Sequence, residues 1–186
     1  GFQEFFGVSV ALSSDGERVI AGSTLQARAF DYDSVNGWTQ TGNAIGGTDQ
    51  MNGAVAISAD GNRVAVAPGL LAGLNIGEEE VVTQVFDYDV SDGWIQVGSD
   101  FDGEDINGGS VAMSADGNRV VFTGIDNDPG SISVRVMDYV DGDWNQVGDT
   151  ISSDGGIGFS VAMSADGTRI AMTEVTEFTG DLGESS

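Results

Sequence analysis

The chain has 186 residues, 40% of them hydrophobic, with no cysteine or histidine and a formal charge of −24 in which every cation is arginine. That length supports one domain with its own core, and the charge disfavours nucleic acid and anionic lipid as partners. Without Cys or His the chain is excluded from disulfides, thiolate chemistry, zinc-finger ligation and imidazole catalysis.

The predicted elements are short strands, and the 29 glycines against 2 prolines read as the tight turns between them. Residues 7–12 and 18–22 form two apolar runs joined by Ser13-Ser14-Asp15-Gly16-Glu17. A third run, 27–32, leads to Asn36-Gly37 and a fourth run from Trp38 to Ile45. Asp-Gly and Asn-Gly between β-rich runs are hairpin signals, because glycine reaches positive φ without steric cost.

The plan then repeats. A second unit has runs at 53–57, 63–67, 81–88 and 94–98, with a long acidic loop from Leu70 to Glu80. A third has runs at 109–113, 119–123, 131–139 and 144–148. The fourth opens with 158–163 and 169–172; residues 174–178 offer a third strand, and no Trp-x-Gln strand follows. No segment has helical periodicity, and no apolar run approaches the length that would insert in a membrane.

The four Ser-x-Asp-Gly-x-Arg turns place Asp15, Asp60, Asp116 and Asp166 at spacings of 45, 56 and 50 residues. Trp38, Trp94 and Trp144 keep the same drifting period. Four antiparallel strands per period of about fifty residues predict an all-β fold of β-propeller type. The units fall at approximately 7–52, 53–107, 108–156 and an incomplete 157–186, all in one repeat domain, 1–186. About three and a half four-stranded blades imply a larger ring, or one completed by another chain, because unpaired blade faces would leave apolar surface open. A stacked solenoid of β-meanders is the alternative.

The stretches Phe6-Gly7-Val8-Ser9-Val10-Ala11-Leu12 and Gly158-Phe159-Ser160-Val161-Ala162-Met163 resemble the FG-GAP type of propeller repeat. Ala29-Phe30-Asp31-Tyr32 with Trp38-Thr39-Gln40, and Val85-Phe86-Asp87-Tyr88 with Trp94-Ile95-Gln96, continue the likeness. The recurring Ser-x-Asp-Gly-x-Arg-Val turn is similar to WD-like repeats of the TolB kind. The resemblance covers nearly the whole chain. It implies a propeller, and the FG-GAP side of it implies extracellular receptors that bind protein ligands and carry calcium in Asp-rich hairpin loops.

Three sets of residues invite a functional reading. Calcium needs six to eight hard oxygens; the candidate ligands are Asp87, Asp89 and Asp92, and Asp31, Asp33 and Asn36, with further acidic hairpins at 100–105 and 126–128. The competing reading is that Asp and Asn occupy turns because they cap their own backbone. Arg18, Arg63, Arg119 and Arg169 hold one repeat position. They form either an anion-gripping ring or a recurring bridge to the turn aspartate or to Asp31, Asp87 and Asp138, and a position repeated in every unit favours the structural bridge. Trp38, Trp94 and Trp144 read as packing between units rather than a carbohydrate platform.

Paired carboxylates are plentiful enough for a propeller glycosidase, but they sit in repeating hairpins, whereas an active site breaks repeat symmetry. The expected function is therefore a non-enzymatic, extracellular or cell-surface module. It would mediate protein–protein assembly or adhesion through acidic loops, with a protein partner or further copies of itself. A calcium-dependent receptor and a glycosidase are the alternatives.

Overall fold

The computed structural model describes residues 6–23, 26–46, 53–68, 82–101, 109–125, 132–153 and 157–174. Among them there are β-strands, turns and no helix. The first sheet is β1 (Phe6–Leu12), β2 (Arg18–Ser23), β3 (Ala27–Asp33) and β4 (Gly37–Ile45), in that spatial order. The second is β5 (Ala54–Ile57), β6 (Arg63–Ala67), β7 (Gln84–Asp89) and β8 (Gly93–Gln96). The third orders β9 (Val111–Met113), β10 (Arg119–Ile125), β11 (Ile132–Val140) and β12 (Asp143–Gln146), with β13 (Ile151–Ser153) also on β11. The fourth pairs β14 (Ile157–Met163) with β15 (Ile170–Glu174). Every pairing is antiparallel between chain neighbours, β13 on β11 excepted, so each sheet is a meander closed by local hairpins.

The repeated turn joins the first two strands of each sheet. In the first sheet the Ser13 amide donates to the Arg18 carbonyl at 2.9 Å, and the Gly16 amide returns to the Ser13 carbonyl at 3.0 Å. Gly16 sits at φ 77°, the left-handed conformation that excludes most side chains. The serine hydroxyl then ties the loop together: Ser13 Oγ donates to Asp15 Oδ1 at 2.6 Å and accepts from the Arg18 amide at 2.9 Å. Ser58, Ser114 and Ser164 repeat both bonds.

The hairpins between third and fourth strands use other chemistry. Asp33 accepts from the Val35 and Asn36 amides, and Asp89 from those of Ser91 and Asp92. In the third sheet Asp141 and Gly142 both have positive φ, 54° and 91°, as a two-residue hairpin of the mirror-image type requires.

The fourth strands depart from the sequence reading, which ended them at Gly98 and Gly148. They resume past those glycines: Phe101 bridges Thr83, and β13 rejoins β11 through Ile151↔Val134. In the first sheet the register slips across the same position, with Thr41 opposite Ala29 and Ile45 opposite Ala27. Each edge strand is therefore bulged at a glycine with φ near +70°. The predicted third strand of the fourth unit (175–178) and the loops at 70–80, 102–107 and 126–130 lie outside the described residues.

Successive sheets pack face to face. Each first strand turns an alanine (Ala11, Ala56, Ala112) toward its successor and a valine (Val55, Val111, Val161) toward its predecessor, while later strands add larger residues such as Ile20, Val85 and Val121 to the successor-facing side. Ala11, Ile20 and Ala29 meet Val55, Val64 and Val66; Ala56 and Ala65 meet Val111, Val120 and Phe122; Ala112 and Val121 meet Val161, Met163 and Ile170. The alternating pattern of each strand supplies the two faces. Where sheets meet, these faces are buried in three clusters, one at each junction.

Candidate functional site: the arginine clamp between sheets

Arg18, Arg63 and Arg119 begin the second strand of their sheets, where the register puts them directly opposite Asp31, Asp87 and Asp138. Each guanidinium makes a two-pronged ion pair with that carboxylate: 2.6 and 2.8 Å for Arg18, 2.5 and 2.7 Å for Arg63, 2.5 and 2.6 Å for Arg119. The fork geometry is the one lysine cannot reproduce. The pairing selects the third-strand carboxylate from the two choices the sequence offered. The turn aspartate is occupied by its own serine.

The remaining donor crosses to the next sheet. Arg18 Nη1 donates to the Gly61 carbonyl at 3.0 Å and to Asn62 Oδ1 at 3.2 Å; Arg63 Nη1 reaches Gly117 and Asn118 in the same way, and Arg119 Nη1 reaches the Gly167 carbonyl at 2.9 Å. The guanidinium faces are also used. Arg18 lies 4.5 Å from the Tyr88 ring centroid and Arg63 4.5 Å from that of Tyr139, both rings belonging to the following sheet. One side chain thus closes its own sheet and grips the next.

Two further contacts recur, the first at all three junctions and the second at the first two. The turns form a backbone ladder in which the Ser14 amide donates to Ala59, Ala59 to Ala115 and Ala115 to Ala165, at 2.8–2.9 Å. The tryptophans reach the other way: Trp94 Nε1 donates to the Thr41 carbonyl at 3.1 Å and Trp144 Nε1 to Val97 at 2.9 Å, each indole resting on a bulge glycine of the preceding sheet. Trp94 and Trp144 are buried, whereas Trp38, on the first sheet, is half exposed.

The candidate calcium ligands are divided among these roles. Asp31 and Asp87 are held by arginine, and the Arg18 hydrogen bond keeps the Asp31 carboxyl below the usual range. Asp33 and Asp89 accept amides of their own turns, and Asn36 Nδ2 donates to Asp33. Asp92 contributes its amide to Asp89. Among the described residues no three acidic side chains are placed to share a metal ion. Most of the two further acidic hairpins (102–105 and 126–128) lies outside those residues.

Two clefts lie on the junctions. One, of about 280 Å³, sits where the starts of three first strands converge and is lined by Ser9, Ala54 and Ser110 with neighbouring valines and glycines. The other, of about 350 Å³, opens beside Arg119, Asp138, Asp116 and Asp166. Arg169 is exposed and has no partner for its guanidinium among the described residues.

The turn serines were the residues least visible from sequence. Serine in a turn is common, and only its burial (1% exposed at Ser58) shows that it anchors the loop. Ser58→Ala leaves the Arg63 amide without its acceptor and is expected to cost about 2 kcal/mol, read from a denaturant midpoint.

The turn aspartates give a pH signature. Hydrogen bonds from Ser164 Oγ and the Thr168 amide lower Asp166 from 3.8 to about 2, and Asp15 and Asp116 are lowered by the equivalent serine hydroxyl. A carboxyl depressed in the folded state stabilises it above the unfolded value and loses that contribution as pH falls through the folded one. Melting temperature is expected to hold down to about pH 4 and to drop between there and about pH 2. Replacing the turn aspartates by asparagine, which keeps an acceptor but does not titrate, should flatten the drop.

No family model matches the chain, and no curated protein matches its sequence. Solved structures do share its fold. A functionally unknown protein from Desulfotomaculum acetoxidans superposes with a TM-score of 0.63 at 17% identity, over 90% of this chain and 48% of its own. U3-55K gives 0.56 at 11% identity, over 89% and 44%, and a Kuenenia stuttgartiensis hydrazine synthase 0.52 at 15%, over 88% and 48%. The chain spans about half the length of these structures, and at such identities the likeness is one of fold alone.

Proposed function

We propose that the chain is an arc of β-propeller blades serving as a non-enzymatic interaction module. The observation that carries this reading is the use made of the repeated residues. Three of the four repeated arginines, their aspartates, the turn serines and two of the three tryptophans bind one sheet to itself or to a neighbour. What remains for other molecules is the acidic character of the chain and the outward faces of the first and fourth sheets. A scaffold of this kind acts by holding loops in fixed relative positions, and propeller-type sheets associate through their faces.

The lysine-free, acidic exterior suits a saline setting outside the cell. Aryl glycosides test the reading against the enzymatic one. The chain is expected to show no turnover above buffer, while turnover abolished by replacing an acidic residue outside the repeated positions would overturn it.

A further inference from the structure

Three junctions inside the chain share face packing, an arginine reaching the next turn and a rung of the turn ladder, and the outer faces of the first and fourth sheets present the two halves of a fourth. Val10 is 65% exposed, while its equivalents Val55, Val111 and Val161 are 6%, 8% and 7% exposed, each covered by the alanine-bearing face of the preceding sheet. Leu12 and Tyr32 beside it are also open, at 56% and 51%. At the other extreme the alanine face of the fourth sheet, Ala162 and Ala171, is exposed.

The polar groups match in the same way. The Ala165 amide has no acceptor, and the Ser14 carbonyl no donor, among the described residues, and these are the two loose ends of the turn ladder. Arg169 waits on one side. On the other stand the Gly16 carbonyl, the Tyr32 ring and Glu17, which takes the place of the Asn62 and Asn118 that accept from arginine elsewhere. A carboxylate there converts that hydrogen bond into an ion pair.

We infer that the open face of the first sheet takes the fourth sheet of a second copy of this chain, through the contacts that already join sheet to sheet. This deepens the module reading proposed above and rests on it. A second copy is favoured because it is shown to carry the complementary surface: the alanine face and, with no partner among the described residues, the Ala165 amide at ladder height and the Arg169 guanidinium. Head-to-tail contact of this type either closes or propagates. With two equivalent joints the pair closes on itself.

Sedimentation and light scattering of the full chain at tens of micromolar test this. The expected species has twice the 19.2 kDa chain mass. Because each copy is strongly negative, association should strengthen with added salt, as screening removes the repulsion between copies. Leu12→Glu and Arg169→Glu should each weaken association at least about tenfold with the circular dichroism spectrum unchanged, and Glu17→Arg combined with Arg169→Glu should restore it. A chain that stays monomeric at every salt concentration, or a dimer indifferent to both substitutions, would overturn the inference. Monomer without glycoside turnover sinks the second copy alone and leaves the module reading standing; turnover of the kind described sinks the reading.

Discussion

Arg63→Ala is expected to destabilise the chain by about 3 kcal/mol, the low end of the range for breaking a buried pair. The Arg63 side chain is 14% exposed and Asp87 is 42% exposed, so the abandoned carboxylate regains water and the cost stays below that of a stranded charge. Three things are lost together: the fork to Asp87, the bonds to Gly117 and Asn118 in the next sheet, and the stack on Tyr139. In a chain of this length the change corresponds to roughly 9 °C in melting temperature.

Arg63→Lys keeps the charge but not the fork, and should recover less than half of the loss. Arg119→Ala should cost less than Arg63→Ala. Arg119 is 32% exposed, reaches one carbonyl across the junction and has no stacked ring among the described residues. The difference between the two alanine variants therefore measures the ring, the Asn118 bond and the deeper burial of Arg63 together. Equal effects would mean that these three add nothing, and an Arg63→Ala change within about 0.5 kcal/mol would mark it as an ordinary surface pair.

The repeat, the first hairpin and most strands are legible in the sequence because each rests on local chemistry: Asp-Gly at positive φ, alternation, β-branched runs. The arginine's partner is not local. Asp15 lies three residues from Arg18 and Asp31 thirteen, and only the strand register, which sets Arg18 opposite Asp31, decides between them. The edge strands are hidden for a related reason. A glycine after Trp-x-Gln reads as a stop, while in the sheet it is a bulge that lets the strand continue. The different characters of the two sheet faces also stay out of sight, since alternation assigns residues to faces without saying which face meets which neighbour.

The calcium candidates show the same limit from the other side. Spacing gathers Asp31, Asp33 and Asn36, or Asp87, Asp89 and Asp92, into short windows that could suit a hard cation. A carboxylate's availability, however, depends on what else reaches it. Asp31 and Asp87 answer an arginine across the ladder, and Asp33 and Asp89 answer their own turn amides. Neither partner is visible from the window itself.

The bulge glycines give the second large effect. Gly98 has φ 73°, and a Cβ placed there would lie 2.6 Å from Trp144 Cδ1 and 3.0 Å from Asp143 Oδ1. Gly98→Ala therefore combines left-handed strain of about 1–2 kcal/mol with overpacking of about 1–3 kcal/mol, and a total near 4 kcal/mol is expected from those two sources. Relief requires the indole to back away, which breaks its bond to the Val97 carbonyl and opens the junction between the second and third sheets. Gly148→Ala is the matched comparison: its φ is 70° and nothing lies within 4 Å of the added carbon, so only the backbone strain of about 1–2 kcal/mol applies. Denaturant midpoints followed by tryptophan emission separate the two, and Gly98→Ala should also shift the native emission to the red as Trp144 meets water. If both substitutions cost the same, the tryptophan does not depend on close approach to the preceding strand. The junctions would then be held by the packed sheet faces, the arginines and the turn ladder.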